Sequence, residues 1–271
     1  MLEEGILRSE YYLSESYLPE RLPHREKEIE EIVLIIKPFI YGRSANNLVI
    51  SGPPGTGKTS CVRHILNQVS ENTDVNTAYI NCWNYNTRAS LYAKILQEQG
   101  IAIPRQGRPL DAYYEMLLEF IKKQGRLLIA LDEFDQLHEK SQAIYDLVGI
   151  NQFYENSLAL IIISYKREGV KDLSHRAISR LNPKLLEFKP YSKVEILDIL
   201  RERVELAFRP NSVQEEALEV IAEKAMEHNG DARIAIELLL EAGRQADLKG
   251  CNLTPEVVKS LFMRNSQFPL D

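Results

Sequence analysis

Apolar and polar residues follow two different rhythms along this chain. Over the first 190 residues, short unbroken apolar runs alternate with stretches of helical spacing. The runs Leu48-Val-Ile-Ser51, Thr77-Ala-Tyr-Ile-Asn81, Leu127-Leu-Ile-Ala-Leu131, Leu158-Ala-Leu-Ile-Ile-Ile-Ser164 and Leu185-Leu-Glu-Phe188 read as five strands. The fourth run is apolar throughout, as expected for a parallel strand covered on both faces. Ile29, Ile32, Val33 and Ile36 keep helical spacing in a segment that opens with Pro23 and ends at Pro38. Ser60 to Ser70, Thr87 to Gln99 and Leu110 to Gln124 also read as helices, the last two stopped by Gly100 and Gly125. Strands alternating with helices predict an α/β fold with a doubly wound, mostly parallel five-stranded sheet.

From Tyr191 onward only the helical rhythm remains. Ser192-Lys-Val-Glu195 and Ser212-Val-Gln-Glu215 have the form of capping boxes ahead of apolar-periodic runs. A third helix opens at Gly230-Asp231 and closes near Gly250, and a fourth opens with Thr254-Pro255. The expected organisation is therefore an α/β domain over 1–190 and a small all-α domain over 191–271.

The chemistry concentrates where the first strand ends. Gly52-Pro-Pro-Gly-Thr-Gly-Lys-Thr59 has the spacing of a phosphate-binding loop, between a strand and a helix. Its glycines let backbone N–H groups turn inward around an anion, and the helix N-terminus adds positive dipole character. Lys58 is expected to reach the β- and γ-phosphates and Thr59 to ligate Mg²⁺. Pro54, Gly55, Thr56, Gly57 and Ser60 complete the cradle, and the Leu22–Arg25 segment with His24 is placed to close over the base. The third strand runs into Asp132-Glu133, the form of a Walker B motif. Asp132 is expected to hold hydrated Mg²⁺, and Glu133 to orient the attacking water. Asp135 reads as a capping or solvated residue.

A phosphate loop, a Walker B strand and a small helical domain together resemble the AAA+ ATPases. Leu22-Pro-His-Arg-Glu26, Asn81-Cys82, Leu131-Asp-Glu-Phe-Asp135, Ser179-Arg-Leu181, Phe188-Lys-Pro-Tyr-Ser192, Ile199-Leu-Arg-Glu-Arg203 and Gly230-Asp-Ala-Arg-Ile-Ala235 follow in order. This wording resembles the archaeal origin-recognition and cell-division-cycle replication initiators. The resemblance implies a helical lid over 191–271, with Tyr191 at the nucleotide and Arg233 as the sensor-2 arginine. It also implies an arginine finger for a neighbour's site, with Arg180 and Arg176 both candidates. Partners would be further initiator-type AAA+ subunits, identical or related, together with double-stranded DNA. The segment from Asn84 to Gln124, with Arg88, Arg105, Arg108, Lys122 and Lys123, is the position-matched candidate for DNA contact.

Two departures from the family pattern stand out. The fourth strand ends in Ser164-Tyr165, where the family usually has Ser-Asn, so slow hydrolysis is expected. The chain ends at Asp271 after four lid helices, where relatives usually continue into a winged helix, so weak DNA affinity is expected. The readings in play are a slowly hydrolysing ATPase in replication initiation, a nucleotide-bound subunit that does not hydrolyse, and an AAA+ adaptor for transposition or clamp loading.

Charge and composition refine this picture. The net charge is −6, and the segment from Tyr191 onward holds 10 Lys and Arg against 15 Asp and Glu. A stand-alone nucleic-acid binder usually shows a basic surplus, so the sequence argues against pure DNA binding. The three cysteines are scattered, giving neither a metal-ligand spacing nor a disulfide framework. With no apolar run of membrane-spanning length and no signal-peptide layout, a cytoplasmic protein without membrane partners is expected.

Overall fold

The structure, a computed structural model, describes residues 5–104, 107–166 and 170–265, without the side chains of 263–265. Contacts divide the chain into two compact units: Arg25–Pro53 with Lys58–Phe188, and Met1–His24 with Pro54–Gly57 and Lys189–Asp271.

The first unit is built on a parallel sheet of β1 (Leu48–Ser51), β2 (Asn76–Asn81), β3 (Leu127–Asp132), β4 (Leu158–Ser164) and β5 (Lys184–Glu187). The strand order is β2-β3-β4-β1-β5. The central β3 and β4 are buried at every position, which is why their sequences lack alternation. One face, with Leu127, Ile129, Leu131, Leu158, Leu160 and Ile162, packs in a single core with α3 (Arg88–Glu98), α4 (Leu110–Gln124), α5 (Lys140–Gly149) and α6 (His175–Leu181). The alternate set, including Leu128, Ala130, Ile161 and Ile163, is equally buried, and α2 (Lys58–Asn72) contacts β2, β3 and β4. On α1 (Glu26–Ile40), Ile32, Ile36 and Phe39 are fully buried. Helices thus cover both faces, as the alternation predicts.

Three local features differ from expectation. Helix α1 starts at Glu26, not at Pro23, because His24 adopts left-handed backbone with φ 64°. Pro38 lies inside α1; it only removes one N–H, and the helix ends two residues later. The short helices α5 and α6 are not predicted by the apolar spacing. Thr87 caps α3 in a reciprocal capping box with Ser90.

The second unit packs α7 (Lys193–Ala207), α8 (Glu215–Glu227), α9 (Ala232–Lys249) and α10 (Pro255–Asn265) around Ile196, Leu200, Ile221, Leu239 and Val258. Ser192 and Glu195 form the expected capping box of α7. The box expected at Ser212 does not form: Gln214 is the N-cap of α8, and the Ser212 hydroxyl donates to the Arg209 carbonyl. The N-terminal segment, expected to belong to the α/β domain, groups with this unit. Leu13 is buried in its core, Arg8 N–H donates to the Ala207 carbonyl (2.8 Å), and Arg244 pairs with Glu10. Among the described residues no helix is long and apolar enough to cross a membrane.

Candidate functional site

In the sheet unit, the carboxyl ends of β1, β4 and β3 are neighbours, and each runs into polar residues. Ligands of parallel α/β sheets sit at this end. After β1 the chain passes so close to Phe188 that a Cβ on Gly52 would lie 2.3 Å from its carbonyl oxygen. The loop then curls, with Gly55 and Gly57 at φ 67° and 85°. Pro54–Gly57 group with the helical unit, where the Ala232 N–H donates to the Gly55 carbonyl at 3.2 Å. Thr56 is buried, and Thr59 and Ser60 are half-buried in the first turn of α2. Lys58 is buried, and its Nζ donates to the carbonyls of Gly52 (2.7 Å) and Pro53 (2.6 Å).

The two Walker carboxylates have contrasting environments. Asp132 is 4% exposed. Its Oδ2 accepts from the Thr59 hydroxyl at 2.7 Å and the Tyr79 hydroxyl at 2.6 Å, while Oδ1 accepts from the Glu133 N–H at 2.8 Å. Glu133 is exposed, with left-handed backbone, and its Oε1 lies 3.4 Å from the Asn81 amide nitrogen. The Thr59 hydroxyl and Asp132 carboxylate are hard oxygen donors brought together by separate elements. They suit Mg²⁺, which takes one or two protein oxygens and completes its shell with water and phosphate.

Asp135, expected to cap or be solvated, is half-buried and bonded to the end of a neighbouring strand. It accepts from the Ser164 hydroxyl (2.7 Å) and the Tyr165 N–H (3.1 Å), tying the end of β4 to the turn after β3. This bond fixes the backbone at Tyr165, whose side chain is 51% exposed.

The remaining predicted residues are distributed over the two units. In the helical unit, His24 Nε2 is 2.9 Å from Asp198 Oδ2, Leu22 is half-buried, and Tyr191 is buried in the core. Arg233 lies in the first turn of α9; its N–H donates to the capping Asp231 (2.8 Å), and its side chain is exposed. In the sheet unit, Arg25 is buried, donates to Glu28 at 2.9 Å and lies 5.3 Å from the centre of the Phe188 ring. Arg180 rests on Tyr145, its guanidinium 3.9 Å from the ring centre and its Nη1 donating to the Tyr145 carbonyl. Arg176, on the same helix, is exposed and has no ion pair or hydrogen bond among the described residues.

Of the basic residues considered for DNA contact, Arg88 is paired with Glu139 and Asp146, Arg108, Lys122 and Lys123 are exposed with Lys123 3.6 Å from Glu119, and Arg105 lies outside the described residues. Sequence reasoning missed Tyr79 and Asn81. Both point away from the inward-facing Ala78 and Ile80 of β2, which is legible, but their carboxylate partners follow only from the pairing of β2 with β3. Burial also pushes the thiols of Cys61 and Cys82 up to about 12, so both stay protonated.

Residues 42–169 match the AAA domain family, and residues 197–260 match the Cdc6 AAA+ ATPase-type lid domain. The chain is 34% identical over 242 residues to ORC1-type DNA replication protein 1 of Archaeoglobus fulgidus, covering 86% of this chain and 59% of that protein. Identity to the ORC1-type DNA replication protein of Pyrococcus furiosus is 34% over 264 residues, covering 93% and 63%. The chain thus spans 59–63% of the length of these curated relatives. Among solved structures, the Aeropyrum pernix ORC1 protein in complex with DNA is similar with a TM-score of 0.87 at 29% identity, over 97% of this chain and 71% of that one.

Proposed function

The chain belongs to the archaeal ORC1/Cdc6 initiator family of AAA+ ATPases, and from that premise we propose that it is an ATP-driven switch in replication initiation. ATP is held at the phosphate loop and hydrolysed slowly to ADP and phosphate, and the nucleotide state controls assembly and engagement of duplex DNA. The observation that carries this reading is the buried Thr59–Asp132 contact beside Lys58. A helix start, a strand end and a cation meet there with their polar atoms already oriented. Thr59 and Asp132 would hold Mg²⁺, which would supply positive charge beside the phosphates. Lys58 moves from the loop carbonyls to the phosphates, Glu133 orients the attacking water and takes its proton, and Arg233 answers the γ-phosphate. Of the two finger candidates, Arg176 makes no ion pair or hydrogen bond among the described residues, which favours it over Arg180 for reaching a neighbouring subunit. The DNA-bound relative supports the DNA part of the reading.

The test is ATP turnover by the purified chain with and without duplex DNA, alongside its mass in ATP and in ADP. Turnover with a nucleotide-dependent mass or DNA stimulation is expected. Tight binding with no turnover and a constant mass would overturn the switch and leave a nucleotide-bound structural subunit. One observation favours that second reading: Tyr165, at the position the family usually fills with Asn, points a bulky exposed ring where a short amide is usual. Tyr165→Asn then raises turnover by about tenfold; an unchanged rate clears Tyr165 of responsibility.

A further inference from the structure

Strand β2 sends two side chains toward the Walker carboxylates, and one of them, Tyr79, makes the shortest hydrogen bond to Asp132. An ionised carboxylate offers about four acceptor sites. Three of those on Asp132 are taken, by Thr59, Tyr79 and the Glu133 N–H. Thr59 and Arg63 lie one turn apart on the same side of α2. Thr59 reaches Asp132 directly; Arg63 lies 5.5 Å from the centre of the Tyr79 ring and has no ion pair or hydrogen bond among the described residues. A cation over the ring makes the phenol a stronger donor, so α2 grips one carboxylate by two routes.

Packing does not account for this tyrosine. Ala78 and Ile80 supply the inward face of β2, whereas Tyr79 is half-buried and lines an open polar cavity of about 360 Å³ together with Arg63, Asn81, Tyr85 and Lys94. A phenylalanine would cover the same surface without the hydroxyl.

We propose that Tyr79, backed by Arg63, is a positioning residue for Mg²⁺: it fixes the Asp132 carboxylate and leaves one acceptor site for a water of a metal ligated by Thr59. This rests on the nucleotide reading above. Partners that orient metal-site groups are worth roughly 10–100-fold in metal affinity, and Tyr79 acts one bond further out, so a smaller effect of about fivefold is expected.

The experiment titrates Mg²⁺ into the chain with a fluorescent ATP analogue, for wild type and Tyr79→Phe, and measures analogue affinity separately in EDTA. The expected result is a Mg²⁺ half-saturation about fivefold higher for Tyr79→Phe, with affinity in EDTA within about twofold of wild type. Arg63→Gln, at an exposed residue, shifts the same midpoint about twofold and carries the test if Tyr79→Phe fails to fold. An unshifted midpoint, or equal weakening with and without Mg²⁺, overturns the inference alone. A wild-type chain that binds the analogue no better with Mg²⁺ than in EDTA overturns the nucleotide reading as well.

Discussion

In the sheet unit Asp132 is buried under three hydrogen bonds, whereas in the helical unit Arg233 is exposed and its side chain makes no hydrogen bond or ion pair among the described residues. The difference follows from where each sits. The end of a central parallel strand is surrounded by neighbouring strands and helices, so a polar group there must be paired as the chain folds. The first turn of a helix is at a surface, so a cap can fix the backbone while the side chain stays free. Groups of the first kind are set in place by the fold itself. Groups of the second kind are left accessible by the fold.

The sharpest way to test this contrast is Glu133→Gln, which keeps the shape of the exposed residue and removes its basicity. Turnover falls by about 10²–10⁴-fold while ATP affinity holds, checked by single-turnover kinetics and equilibrium binding. Lys58→Ala comes next: ATP affinity drops about 100-fold, roughly 2.7 kcal/mol, as expected for a charge-assisted contact. Arg233→Ala lowers turnover about tenfold, ~1.4 kcal/mol, and leaves the melting temperature unchanged because nothing in the fold leans on the side chain. The smallest effects separate the packing of the two units. A Cβ on Gly243 of α9 would lie 2.8 Å from the Phe208 ring, so Gly243→Ala costs about 1 kcal/mol net in urea unfolding, overpacking outweighing the gain in helix propensity. The same change at Gly149 of α5 meets only the Arg180 Nη1 at 3.1 Å, the movable end of a long side chain, and stays within about 0.5 kcal/mol of wild type.

Much of this was legible in the sequence. The three inner strands β1, β3 and β4 are continuous apolar runs because both sheet faces are covered there, and the phosphate loop and Walker B residues stand where those runs stop. What escaped depends on geometry that spacing does not encode. Helix α6 is capped by Ser174 but has only seven residues, too few for an apolar period to show, and α5 begins after Glu139 in left-handed backbone without a side-chain cap. Ser212 has the right partner at the right spacing for a capping box, but its hydroxyl finds the Arg209 carbonyl first. Asp135 reads as a turn residue until β4 is placed beside β3 and offers it Ser164. Tyr79 meets Asp132 only because β2 pairs with β3 so that Asn81 stands opposite Asp132.

Glu133 carries one further consequence, in its backbone rather than its carboxylate. It is held at φ 50° and ψ 42°, a region that costs an L-residue about 1–2 kcal/mol. Glycine would remove that strain and give back only about 0.4–1 kcal/mol through greater freedom of the unfolded chain. Glu133→Gly should therefore fold at least as firmly as the natural chain while lacking the carboxylate proposed to orient water. On that proposal, thermostability and turnover ask for different residues at this position, and a search for stabilising substitutions guided by folding alone would select against turnover.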